Sequence, residues 1–250
     1  MVQGTKERIT AHRLFATRRY ILSTHPVLYI SGRRDFQGTN QFLSDDAYGH
    51  LCTRTGALWT PQGYSFDGID DYITVPDSPS LTFTDGAGAD KPFSAIMWVN
   101  PTNYNNFATL VAKRNSGTVL EWVWNIQQTN GQMNLRLYSG SGTTIYIGQQ
   151  STDAVGTGAL ICLGFTYDGN EASSGVILYK NGVVLASSAS QAGSYVGMSD
   201  TVALVSIGAH HTQATPANFL IGNVGAVWLY NRVLTALEMQ FIFLVTKWRY

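Results

Sequence analysis

Short alternating runs broken by glycine turns recur along this chain, and they constrain its fold more than any other feature. Asn181-Gly182 lies between Leu178–Lys180 and Val183–Leu185. Two central residues that tolerate positive φ, flanked by strand formers, specify a type I′ hairpin. Similar punctuation stands at Asn115–Gly117, Thr129–Gly131, Gly140–Gly142 and Asp168-Gly169. The runs between these turns read as strands, among them His50–Trp59, Phe93–Val99, Leu120–Gln127, Met133–Tyr138, Ala159–Tyr167 and Phe219–Tyr230. No helical stretch interleaves them, which argues against a parallel βαβ architecture, and no fixed-period repeat suggests a propeller. The expectation is an all-β, two-sheet antiparallel jelly-roll sandwich.

One helix is expected near the end. Thr235 and Glu238 form a capping box, and Leu237, Phe241 and Leu244 follow at helical spacing. At the other end, residues 1–34 carry Lys6, Arg8, Arg13, Arg18, Arg19, Arg33 and Arg34 against Glu7 alone. Formal net charge is zero, so the remainder is acidic. Residues 1–26 therefore read as a basic arm and residues 27–250 as the sandwich. Such an arm offers contact to neighbouring subunits and a route to a homo-oligomer. The acidic body argues against specific nucleic-acid binding. No apolar run approaches the roughly 18–20 residues of a membrane span, and the N-terminus has no clear secretory segment. Cys52 and Cys162 fit no metal spacing, and their pairing is left open.

The stretch from Gly63 to Pro76 places Tyr64 and Phe66 before, and Tyr72 to Val75 after, an acidic turn with Asp67, Gly68, Asp70 and Asp71. The alternation and the Asp-Gly pair read as a hairpin. This stretch resembles a signature of laminin-G-like modules. Three further segments extend the resemblance in the same order: Phe93–Pro101, then Leu163–Gly169 with Leu178–Val183, then Ile221–Leu234 with its capped helix. Together they resemble the laminin-G-like, concanavalin-A-like lectin-glucanase jelly roll over about residues 27–245. Leu43–Trp59 looks most like versions in uncharacterised microbial and phage proteins.

The resemblance implies binding rather than bond cleavage. Its first reading is a noncatalytic glycan-binding or adhesion module displayed on a virion or extracellular surface. The alternative is a structural particle component, a capsid decoration or tail protein. A polysaccharide hydrolase ranks third, because hydrolysis needs two carboxylates facing one cleft. The best candidate strand, Val119–Ile126, holds Glu121 and no second acid. Adjacent His210 and His211 point to opposite faces of a strand, and their setting reads as an exposed loop.

For sugar contact the candidates are aromatic and amide side chains: Tyr104, Asn105, Asn106, Trp124, Tyr146 and His210. Trp122 and Trp124 share one face, which serves as a platform if open and as core if it lies between the sheets. Trp98 and Trp228 read as core. Asp67, Asp70 and Asp71 are the candidate metal ligands, with Ca²⁺ the ion the resemblance implies and hard oxygen donors suit. The competing reading gives Asp67 to the turn and Asp70 to a strand cap.

Overall fold

The computed structural model describes residues 24–33, 39–104, 107–212 and 215–250. In chain order the strands are β1 (Leu28–Ile30), β2 (Gln41–Leu43), β3 (Leu51–Thr55), β4 (Leu58–Thr60), β5 (Gly63–Asp67), β6 (Tyr72–Val75) and β7 (Phe93–Pro101). They continue with β8 (Ala108–Arg114), β9 (Leu120–Ile126), β10 (Gln132–Tyr138), β11 (Tyr146–Ala154), β12 (Ile161–Tyr167) and β13 (Val176–Lys180). The last are β14 (Val183–Val184), β15 (Ser187–Ala189), β16 (Val205–Ile207), β17 (His210–Thr212), β18 (Thr215–Ala217) and β19 (Ile221–Tyr230), before helix α1 (Ala236–Thr246).

Two large antiparallel sheets form the expected sandwich. One has eight strands in the order β14-β13-β12-β7-β19-β5-β4, with β1 also paired to β19. The other has nine, in the order β15-β11-β10-β9-β8-β16-β6-β3-β2. A small β17–β18 ribbon stands apart. The Asn181-Gly182 hairpin forms as its residues require: their φ angles are 52° and 76°, and Tyr179 pairs with Val184.

Between the sheets lies an aromatic core. Trp122 and Trp124 of β9 meet Phe93 of β7 and Phe165 of β12, and Phe83 stacks on Phe93 at 4.4 Å between centroids. Strand alternation explains why β7 is apolar on both faces. Phe93, Ala95, Met97 and Val99 fill the inter-sheet core, while Ile96 and Trp98 face outward. That outer face is covered in turn, because α1 packs Met239 and Ile242 on it and Thr246 accepts a 2.8 Å hydrogen bond from the Trp98 indole. A strand buried on both sides reads as a continuous apolar run.

Two sequence expectations change. The acidic stretch is not a hairpin: β5 pairs with β4 and β19 in the eight-stranded sheet, whereas β6 pairs with β3 and β16 in the nine-stranded sheet. The turn between them is an arch that carries the chain from one sheet to the other. Gly68 is required there, since its φ is +79° and a Cβ would sit 2.0 Å from Ile221 Cγ1. Helix α1 has its capping box, but its buried residues are Met239, Ile242 and Thr246. The Leu237, Phe241 and Leu244 stripe stays exposed.

Of the proposed arm, residues 1–23 lie outside the described residues. Both cysteines are buried and free, in opposite sheets, and burial pushes the Cys52 thiol up to about 12. No helix among the described residues is long and apolar enough to cross a membrane.

Candidate functional site

The outer face of the nine-stranded sheet is the side of the sandwich that α1 does not cover, and it holds a groove. Its floor follows from alternation in β9 and β10. Trp122, Trp124, Met133, Leu135 and Leu137 turn inward, which sends Val123, Asn125, Asn134, Arg136 and Tyr138 outward. Ala112, Leu120, Val123 and Tyr138 form a small apolar cluster on this outer side, with Tyr146 against it. Above that floor the hollow encloses about 170 Å³ and is walled by Arg114, Arg136, Asn125, Asn134, His210 and Asn218, with Phe107 at its rim.

Arg136 takes its position from its neighbours. Its partner across the ladder is Gly148, which has no side chain to meet it, so it leans onto the diagonal neighbour Tyr146. The guanidinium carbon sits 4.4 Å from the Tyr146 ring centroid. Tyr138 pairs directly opposite Tyr146, with ring centroids 5.8 Å apart. Asn134 donates to Asn125 at 3.4 Å, and its carbonyl oxygen has no partner.

His210 closes the β17 end. It is 3% exposed, its Nδ1 lies 2.8 Å from Thr109 Oγ1, and Asn218 Nδ2 lies 3.2 Å from its Nε2. An amide nitrogen only donates, so Nε2 accepts and Nδ1 carries the proton toward Thr109. Burial, helped by the Arg114 charge and by His211, presses its pKa down to about 3. The ring is therefore a neutral, fixed part of the wall.

This depression has a consequence for stability. Below the ordinary value of 6.5 the unfolded chain takes up a proton that folded His210 refuses, so folding weakens as pH falls toward about 3. The limiting slope is about 1.4 kcal/mol per pH unit. Glu121, raised from 4.5 to about 7, acts in the opposite sense in its own window, because the folded state then holds the extra proton. Urea midpoints taken below pH 4.5 should therefore drop for wild type and drop less for His210→Gln. An equal acid response in both would contradict this assignment.

The groove gathers two of the sequence candidates, His210 in its wall and Tyr146 at its edge. The others are placed elsewhere. Trp124 is fully buried between the sheets, because it alternates with Val123 on β9, and it offers no platform. Tyr104 packs against that same core and covers the Gly131 turn, where a Cβ would lie 2.3 Å from its ring. Asn105 and Asn106 lie outside the described residues. Trp98 and Trp228 are buried beneath α1, as read. The histidines are not in an exposed loop: both are buried on β17, and His211 meets Tyr72 edge-on.

Sequence reasoning passed over Arg114, Arg136, Asn134 and Asn218. The signal for two of them was present, since Asn134, Arg136 and Tyr138 alternate with Met133, Leu135 and Leu137.

Among the described residues no carboxylate lines the groove. Glu121 turns into the protein, where Lys113 Nζ lies 2.9 Å from Oε1 and Thr201 donates from its amide and hydroxyl. Asp67, Asp70 and Asp71 cluster at the sheet-switching arch, each offering an oxygen within 4.8 Å of the others, and this group could hold a metal ion. Part of that oxygen set serves the turn itself: Asp67 Oδ1 accepts from the Ile69 amide and Asp71 Oδ2 from the Asp67 amide. Burial, then the neighbouring carboxylates, raise the Asp71 pKa against the lowering effect of that amide. A second, larger hollow of about 520 Å³ lies beside Val27 and Tyr48. Its acids, Asp45 and Asp46, are engaged by the backbone amides of Ser31, Tyr29 and Tyr48.

The model of the concanavalin A-like lectin/glucanases superfamily matches residues 67–240, most of the sandwich just described. The chain belongs to this superfamily. No curated protein sequence matches the chain. Among solved structures it resembles the binding domain of Paraclostridial mosquitocidal protein 1 at 13% identity and TM-score 0.63, over 89% of this chain and 52% of that one. The receptor-binding domain of botulinum neurotoxin type G is similar at 13% identity and TM-score 0.56, over 89% of this chain and 51% of that one. Trypanosoma rangeli sialidase in complex with sialic acid matches at 13% identity and TM-score 0.63, over all of this chain and 40% of that one. The chain thus spans about half the length of the toxin binding domains and less of the sialidase. At identities this low the likeness shows a shared fold alone.

Proposed function

We propose that this chain is a noncatalytic glycan-binding module that takes its ligand on the outer face of the nine-stranded sheet. The observation that carries this reading is the composition of the groove. Side-chain amides from Asn125, Asn134 and Asn218 and the neighbouring aromatic rings surround an apolar floor, with no carboxylate among the described residues. Amides exchange hydrogen bonds with sugar hydroxyls, and aromatic and apolar surface packs on the C–H faces of a sugar ring. Hydrolysis of the usual kind needs a carboxylic acid beside the scissile bond. Here Glu121 is held by Lys113 instead.

A glycan array tests this directly. The wild-type protein should bind a defined subset of glycans. Tyr146→Ala, at the half-buried edge of the groove, should weaken that binding about tenfold while leaving the melting temperature within a few degrees, in line with the few tenths to about 1 kcal/mol of a cross-strand contact. Silence across a broad array, or binding indifferent to Tyr146, would overturn the reading.

A further inference from the structure

We infer that the sugar accepted by this groove carries an oxyanion substituent, a carboxylate or a sulfate ester, held by the paired guanidinium groups of Arg114 and Arg136. This rests on the glycan reading above and narrows it to acidic glycans.

Both arginines stand on the outer face of the same sheet, on the two strands that flank β9: Arg114 at the end of β8 and Arg136 in β10. Both line the groove beside Tyr138, whose phenol is raised by burial and lowered in part by the two guanidinium charges. Neither is paired with an acid. The ion pairs among the described residues involve Lys113 and Arg232, and no Asp or Glu lines the groove. The one carboxylate on β9, Glu121, is turned to Lys113 and Thr201 and is fully buried there.

The guanidinium donors are only partly used. Arg114 spends its Nε on the Ser116 carbonyl at 3.2 Å. Arg136 lies against the Tyr146 ring, and its Nε is buried with no partner. Burial also pulls the Arg114 guanidinium below its ordinary value. Two partly desolvated like charges with no counterion are unfavourable, and a bound oxyanion offsets both costs at once. A guanidinium presents its N–H groups in a planar fork that fits carboxylate or sulfate oxygens better than neutral hydroxyls. Asn134 adds a buried, unpartnered carbonyl oxygen beside them, the acceptor a neighbouring sugar hydroxyl needs.

The test uses the full chain and four probes: a uronic-acid oligosaccharide, its carboxyl-reduced counterpart, a sulfated oligosaccharide and its desulfated counterpart. Affinities are read by titration calorimetry at low and high salt. At least one acidic probe should bind ten times or more tightly than its neutralised partner, and added salt should weaken it. Which acidic probe wins identifies the oxyanion. Arg136→Gln should cost about ten- to a hundredfold in that affinity, the range of a hydrogen bond to a charged group, and Arg136→Lys should recover part of it. Arg114→Gln gives an independent second variant, with thermal melting to confirm that each variant is folded. Equal affinity for acidic and neutralised probes, with binding still sensitive to Tyr146→Ala, overturns this inference and leaves the glycan reading standing. No binding of any probe, together with a silent array, removes both.

Discussion

Replacing Lys113 by Met should destabilise the protein by about 3–5 kcal/mol, the cost of stranding a buried charge after its partner is removed. The Lys113 and Glu121 side chains are both fully buried, 2.9 Å apart. Lys113 also reaches Asp77 at 2.9 Å and Thr82 at 3.2 Å. Glu121 is held further by Thr201, yet Oε2 has no partner, and desolvation outweighs the Lys113 charge to push its carboxyl up to about 7. Removing the cation leaves Glu121 with burial unopposed by its main compensating charge. Two controls follow from the same physics. The penalty should shrink as pH falls toward 7, because Glu121 without the lowering effect of Lys113 takes its proton at a higher pH than the wild-type value of about 7. The double variant Lys113→Met/Glu121→Gln should be more stable than Lys113→Met alone. Urea denaturation measures all three, and a loss under about 1 kcal/mol for Lys113→Met would show that Glu121 finds water or another donor.

Trp124→Ala is expected to cost a comparable amount, about 3–5 kcal/mol, by opening a large cavity between the sheets. For a chain of this size that lowers the melting temperature by about 10 °C. The indole packs edge-to-face on Phe165 at 5.2 Å and is fully buried. The discriminating part is function. A variant that still folds at low temperature should keep its ligand affinity, because no face of Trp124 reaches the groove. Lost binding with little lost stability would reverse the assignment and return Trp124 to the contact surface.

Much of the architecture can be read from local pattern, because its determinants are local. Asn181 and Gly182 force one turn geometry, Thr235 and Glu238 cap one helix start, and the run at β7 is apolar because both its faces are covered. The Gly63–Val75 arch resists such reading. Alternation marks both strands, but their ladder partners lie far away in sequence, β19 for one and β3 and β16 for the other. An Asp-Gly turn fits a hairpin and an arch equally well; the long-range pairing decides.

The groove is only partly legible for the same reason. The polar alternation of Asn134, Arg136 and Tyr138 is plain, yet α1 packs on the outer face of the other sheet and leaves this one open, and that is a property of the whole chain. Trp122 and Trp124 show the converse. Their shared face is readable from spacing of two, but its inward direction is set by the opposing Phe93 and Phe165. Likewise Leu237, Phe241 and Leu244 have helical spacing, while the residues that meet Trp98 and Tyr179 come from the other side of α1.

The central claim, that the outer face of the nine-stranded sheet is where ligand sits, is tested most directly by backbone amide chemical-shift mapping during titration with the best array ligand. The account predicts that the largest perturbations fall on Val123, Asn125, Asn134, Arg136 and Tyr138, with His210 and Asn218 at the margin. Perturbations centred on Asp67–Asp71, or on the hollow beside Asp45 and Tyr48, with the β9 and β10 amides unmoved, would contradict it.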